Sequence, residues 1–237
     1  QGSISIGPDS KVKEFRFPEF SVNVVTRLET HGRLRSDNVW DVKAKGATFD
    51  GRDMFRSLLI AGQTVEEAPD PKAPKPGLDL TAEIDTVLGF SDASLRNVTV
   101  RASRRGDKLV GLDVRGALEG GAPFAAVVRN EQGPRRLLAE ANDAGKMFKL
   151  AGFYPNALGG HMKLEVNLDG RGAVEKTGTL WASDFVVLGD PVVSEVLQNS
   201  DNGQPAINGA RKGTVVRERF EFERLRVPFS IGQGQFV

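Results

Sequence analysis

One pattern constrains this chain more than any other: apolar and polar residues alternate one for one, again and again. Leu78, Leu80, Ala82, Ile84, Thr86 and Leu88 are separated by Asp79, Thr81, Glu83 and Asp85. A strand turns successive side chains to opposite sides, so a period of two predicts a strand with one dry face and one wet face. The pattern recurs. Val98 and Val100 alternate with Asn97, Thr99 and Arg101. Val110, Leu112, Val114 and Leu118 share one parity, with Asp113 and Arg115 on the other. Phe124 and Val128 follow, then Leu137, with Arg136 beside it. Met162, Leu164 and Val166 alternate with Lys163, Glu165 and Asn167. Phe220 and Phe222 sit among Arg219, Glu221 and Glu223. Phe20 to Leu28, rich in β-branched residues, reads as a further strand.

Short glycine-containing segments separate several of these runs. Arg105-Gly106-Asp107, Glu119-Gly120-Gly121 and Asn130-Glu131-Gln132-Gly133 read as hairpin turns. Strands so joined are antiparallel, which predicts a meander from Leu78 to Ala141. Three short amphipathic helices interrupt it. Asp50 caps a helix carrying Met54, Phe55, Leu58 and Leu59 that stops near Gly62. Asn142 or Asp143 caps a second, carrying Met147, Phe148 and Leu150 and ending at Gly152. Asp190 before Pro191 caps a third with Val192, Val193, Val196 and Leu197. Helices this short need the sheet to pack against. Pro69, Pro71, Pro74 and Pro76 mark an extended linker over 65–77. The expected organisation is therefore a β segment with a short helix over 1–64, the linker, and a β-meander with two short helices over 78–237. Asn199 to Gly213 reads as a polar loop.

Catalytic chemistry is hard to find. There is no cysteine, which removes disulfides, thiolate nucleophiles and thiolate metal sites together. The two histidines, His31 in an expected turn and His161 at a strand start, stand in no metal-ligand spacing. No nucleophile elbow, SxxK or P-loop occurs. Lys and Arg number 32 against 31 Asp and Glu, interspersed, without the clustered basic excess of a nucleic-acid binder. The pairs Arg104-Arg105 and Arg135-Arg136 fall near turns. Most carboxylates lie on wet faces, opposite Lys and Arg, as ordinary cross-strand pairs. Trp40, Trp181 and Tyr154 are far apart in sequence and read as packing residues. The expectation is a protein without enzymatic activity or cofactor.

What remains is the apolar face. The dry sides of these strands either fill one another in a sandwich or barrel, or line one curved sheet left partly open as a groove. Three short helices are too few to cover so many strands, which favours the groove. Its expected lining is Leu80, Ile84, Val98, Val100, Val110, Leu112, Val114 and Leu118, then Phe124, Val128, Leu137, Met162, Leu164, Val166, Phe220 and Phe222.

Several segments resemble a known family. They are Val12-Lys-Glu-Phe-Arg-Phe, Asn38-Val-Trp-Asp-Val-Lys-Ala and Phe49-Asp-Gly-Arg-Asp-Met-Phe-Arg-Ser-Leu. They continue with Ile84-Asp-Thr-Val-Leu-Gly-Phe-Ser-Asp-Ala-Ser-Leu-Arg-Asn-Val. Glu140-Ala-Asn-Asp-Ala-Gly-Lys-Met-Phe-Lys-Leu-Ala-Gly-Phe-Tyr and Gly159-Gly-His-Met complete them. The chain resembles the AsmA-like proteins of Gram-negative bacteria, of the TamB and YhdP types, in their alphaproteobacterial form. That resemblance implies a taco-shaped β-groove that conducts phospholipid between inner and outer membranes, in the periplasm, in a parent protein anchored in the inner membrane. It carries no catalytic residues. It also implies that this chain is a fragment, without the anchor helix and stopping inside a repeat. Gln1-Gly2-Ser3 reads as a cloning remnant. The alternative expectation is an envelope assembly module that pairs an exposed sheet edge with a protein partner.

Overall fold

The structure is a computed structural model and describes residues 2–59, 75–129, 133–169, 176–190, 192, 210–212, 219–232 and 235–236. The alternating runs become strands of one large, open, curved sheet. β1 (Ser3–Ile6), β2 (Val12–Val22), β3 (Thr26–Leu34) and β4 (Val39–Asp50) precede helix α1 (Arg52–Leu59). β5 (Gly77–Leu88), β6 (Ser94–Arg105), β7 (Lys108–Leu118), β8 (Pro123–Arg129) and β9 (Arg136–Ala141) lead to helix α2 (Ala144–Ala151). β10 (Ala157–Leu158), β11 (His161–Asn167), β12 (Lys176–Leu188), β13 (Ala210–Lys212), β14 (Arg219–Gly232) and β15 (Gln235–Phe236) complete it. The path across the sheet follows the chain from β1 to β9, then runs β11, β12, β14, β13; β10 and β15 add short pairings to β12 and β14.

Neighbouring strands are antiparallel, as the hairpin turns predict, except β4 and β5. These two run parallel, from Val39 opposite Gly77 to Asp50 opposite Leu88. Parallel neighbours require a crossover, and residues 51–76, including α1, supply it. The sheet therefore continues unbroken past the proline-rich segment, whose residues 65–74 lie outside the described ones. The segment Phe20 to Leu28 is two strands and a turn rather than one strand. Asn23 takes the left-handed conformation (φ 60°), and its side-chain oxygen accepts hydrogen bonds from the backbone of Val25 and Thr26 at 2.9 and 2.8 Å. An asparagine can close a tight turn this way. Left-handed Gly106 closes the β6–β7 hairpin, and Gly120 and Gly121 the β7–β8 one. The third expected turn, at Asn130 to Gln132, lies outside the described residues.

Two helices occur among the described residues where three are expected. α2 matches its reading closely. Asp143 accepts the Lys146 backbone N–H at 2.9 Å, and left-handed Gly152 (φ 77°) ends the helix. Just before α1, the Asp50 carboxylate accepts the Arg52 N–H at 3.2 Å. For the third, expected from Asp190 to Leu197, the Val192 N–H donates to Asp190 at 2.9 Å; residues 191 and 193–197 lie outside the described ones.

A register shift bends the sheet. Between β3 and β4 one β4 residue, Ala47, has no opposite number, and between β6 and β7 the strand β6 carries one extra residue near Asn97. β5 stays in step with both β4 and β6 across Asp85. Three neighbouring strands thus bulge side by side, with Asn97 left-handed at φ 52°. A bulge kinks its strand and increases local twist. It also changes parity: the buried positions run Ala82, Ile84 and then Val87 on β5, and Val98 then Leu95 on β6. This corrects the expectation that Thr86 and Leu88 continue the dry face; Val87 takes that place. β12 switches in the same way around left-handed Asp184, from Ala182 to Phe185.

Candidate functional site

Residues paired across strands share a face, so the register traces the dry side through the sheet. Leu112 stands opposite Ala102 and Val128; Val128 is opposite Leu137, and Leu137 is opposite Val166. Leu164 continues to Leu180, and Leu180 to Val227. Fifteen of the sixteen expected lining residues fall on this one face by register. Val110 is the exception, left over at a shift between β6 and β7.

The face is dry in two different ways. At one end of the strands α1 and α2 lie on it. There Ile84, Val98, Leu118, Met162, Phe220 and Phe222 are buried in a closed core with Phe55, Phe148 and Leu150. Phe148 meets Phe185 edge-on at 6.5 Å, and Phe185 stacks on Phe222 at 5.0 Å. These six lining residues therefore face protein, because the helices cover their end of the sheet. Toward the other end, Leu80, Val100, Leu112, Val114, Phe124, Val128, Leu137 and Leu164 are only half-buried. Val166 is buried there among its neighbours.

The uncovered face also extends further than expected. Phe15, Phe17 and Phe20 on β2 share it, opposite Gly32, Thr30 and Leu28, and Ile4 on β1 stands opposite Phe15. Phe15 lies 5.7 Å from Phe17 and 5.5 Å from Trp40; Phe17 lies 6.0 Å from Phe20. Gly32 makes room for the Phe15 ring, which a β-carbon there would meet at 2.3 Å. Ile4 and Ile6 are 56 and 64 % exposed. The alternation of Phe15 and Phe17 within Val12 to Phe17 is the signal that could have placed this strip on the face.

The opposite face is polar. Arg105 pairs with Asp79 at 2.7 Å, Arg136 with Glu165 at 3.0 Å and Lys45 with Glu83 at 3.8 Å. His31 lies within β3, not in a turn, 3.0 Å from Glu14. Trp181 lies under the Lys163 ammonium at 5.9 Å. Beside α2 a cavity of about 310 Å³ is lined in part by Ser94, Leu118, Glu119, Asp143 and Lys146. Asp143 and Lys146 pair with each other at 2.9 Å, so its charged walls serve the helix cap. The Tyr154 hydroxyl donates to buried Asp190, tying the segment after α2 to the end of β12. Burial, and then the Asp190 carboxylate, push this phenol well above its ordinary value. Among the described residues no three His, Asp or Glu side chains gather as a metal site, and no helix is long and apolar enough to cross a membrane.

Several of these ion pairs predict an acid limit. Hydrogen bonds from Arg52 at 2.6 and 2.9 Å pull Asp50 down to about 2. Arg105 lowers Asp79, and Arg135 lowers Asp169. A carboxylate depressed in the folded state stabilises it above the ordinary carboxylate range and loses that contribution as pH falls through the folded value. The urea midpoint should be flat from neutrality to about pH 5 and fall progressively below about pH 4. A midpoint unchanged at pH 3 would show that these pairs contribute nothing.

Fold and face define a class: an open β-sheet protein that presents one continuous apolar surface, which among the described residues is closed by helices at one end only. No family model, curated protein or solved structure matches this chain.

Proposed function

We propose that the uncovered apolar face carries phospholipid acyl chains, as a non-catalytic segment of a longer AsmA-like protein that conducts lipid between inner and outer membranes. On this reading the segment works in the periplasm and its parent is anchored in the inner membrane. The observation that carries the proposal is the half-exposed row of apolar side chains running from β2 to β14, with no second layer over it among the described residues. A patch of this extent on a soluble fold marks a binding surface. Bringing an acyl chain of about sixteen carbons through water costs on the order of 12 kcal/mol, at about 0.8 kcal/mol per methylene. A dry wall offsets that cost without any specific polar contact. Each strand presents a similar rung, so a chain can slide from one to the next.

A second reading is favoured by β1. Its outer side has no partner strand among the described residues, and Ile4 and Ile6 are exposed. A strand from an envelope protein could pair there. Native mass spectrometry of the chain, extracted from its own cell envelope, separates the two. Lipid carriage predicts phospholipid masses bound to the folded chain. Lipid-free chain, with a partner captured by crosslinks through β1, would replace the groove with the edge.

A further inference from the structure

The apolar face is not electrically symmetric along its strands. Within β3 to β12 the register positions of this face hold no carboxylate. The charged residues there are Arg104, opposite Leu78, and Lys176, opposite Ile231. Both stand at the end away from α1 and α2, where the β6–β7, β8–β9 and β11–β12 connections lie. Four strands separate β6 from β12, so the two cations are about 24 Å apart along the sheet.

The rim around them is basic. Its carboxylates are already held: Asp79 by Arg105 at 2.7 Å, Asp107 by Lys75 at 2.8 Å, Asp169 by Arg135 at 2.6 Å, and Asp37 by Arg35. Among the described residues this leaves a surplus of cations. On the polar side Arg129 stands opposite Arg136 and Arg105 opposite Lys108, with Glu165 and Asp79 offsetting Arg136 and Arg105. At the helix-covered end the charges are balanced, with Asp50, Asp53 and Asp143 paired to Arg52, Arg56 and Lys146.

The geometry points to a headgroup rim: the basic turn end of the groove holds the phosphates of anionic phospholipids, whose tails lie on the apolar face toward the helices. This rests on the acyl-chain reading above and gives it a polarity and a preferred lipid class. Phosphate beside arginine is a strong, charge-assisted contact, and each basic residue near an anionic lipid surface adds attraction that salt screens.

The test loads the full chain from vesicles of phosphatidylglycerol or of phosphatidylcholine and counts bound lipid by native mass spectrometry. The wild-type chain should take up phosphatidylglycerol about tenfold better at low salt, with the preference fading toward 1 M salt. The double variant Arg104→Glu, Lys176→Glu should lose most of that preference and load phosphatidylcholine as before. Circular dichroism establishes that the variant folds, and Arg104→Lys should retain the preference. Equal uptake of the two lipids by the wild type would overturn the rim while leaving the groove standing. So would a preference that the double reversal does not move. Uptake of neither lipid overturns the groove and the rim together. Inorganic phosphate should displace no more lipid than chloride at matched ionic strength. Displacement by phosphate alone would assign the rim to a free anion and overturn the proposal.

Discussion

Leu112→Asp should abolish lipid loading while leaving the sheet folded. Leu112 lies in the middle of the uncovered face, half-buried, between Ala102 on β6 and Val128 on β8. In the lipid-free chain water reaches this position, so an aspartate there keeps much of its hydration. The cost to folding is then the lost apolar contact, about 1–2 kcal/mol. With acyl chains over it the same carboxylate must shed its water; Arg104, two residues beyond Ala102 on this face, is the nearest cation by register, and a pair with it would itself be desolvated beneath the tails. That penalty runs to several kcal/mol per ion, and even roughly 3 kcal/mol lowers loading more than a hundredfold. Thr99→Asp is the control. Thr99 is exposed on the polar face, between Glu83 and Arg115, and a charge there meets no lipid. Lipid counts from native mass spectrometry should collapse for Leu112→Asp and stay unchanged for Thr99→Asp. Equal loading of both variants would mean that the tails lie elsewhere, and the groove reading would fall.

The contrast between these two positions shows what alternation can reveal. Parity alone puts Leu112 and Thr99 on opposite faces, and the register places them so. Parity is local and needs only the two-residue repeat of a strand. It fails where a strand gains a residue. Val87 and Leu95 are among the driest residues of the molecule, yet by parity they belong to the polar side. The row of bulges through Ala47, Asp85 and Asn97 moves them across. A lone asparagine in a strand is weak notice of that. The parallel pairing of β4 with β5 was also hidden, since nothing local in either strand states its neighbour's direction. α2 was readable from end to end because its cap, its apolar side and its terminal glycine lie in one short stretch. Which lining residues are open depends on where α1 and α2 rest, a long-range fact. Ile84 and Leu80 look alike in sequence, but Ile84 is buried in the core that includes Phe55 of α1 and Leu80 is half-buried.

Phe148→Ala should be the most destabilising single truncation at the helix-covered end, by about 3–5 kcal/mol. α2 has eight residues and cannot persist without docking. Phe148, 6 % exposed, is its anchor in the aromatic row through Phe185 to Phe222. Removing the ring leaves a void that Ala144, Leu150 and Ala151 cannot fill, because Gly145 already packs against the β10 backbone. A β-carbon there would lie 2.4 Å from the Ala157 carbonyl oxygen, so the helix has no room to settle closer. The loss should appear as a lower urea midpoint and as faster amide exchange across α2 and β10, with β2 to β4 little changed. Phe153→Ala is the matched control: the same ring, two residues beyond the end of α2 and 55 % exposed, should change stability by no more than about 0.5 kcal/mol. A released α2 would also lengthen the uncovered face, exposing Leu118 and Met162 to water. Binding of a hydrophobic dye should therefore rise in the variant while far-ultraviolet ellipticity keeps its strand signal. If Phe148→Ala and Phe153→Ala were equally mild, α2 would not be the closure of this end, and the division of the face into a covered and an open part would be lost.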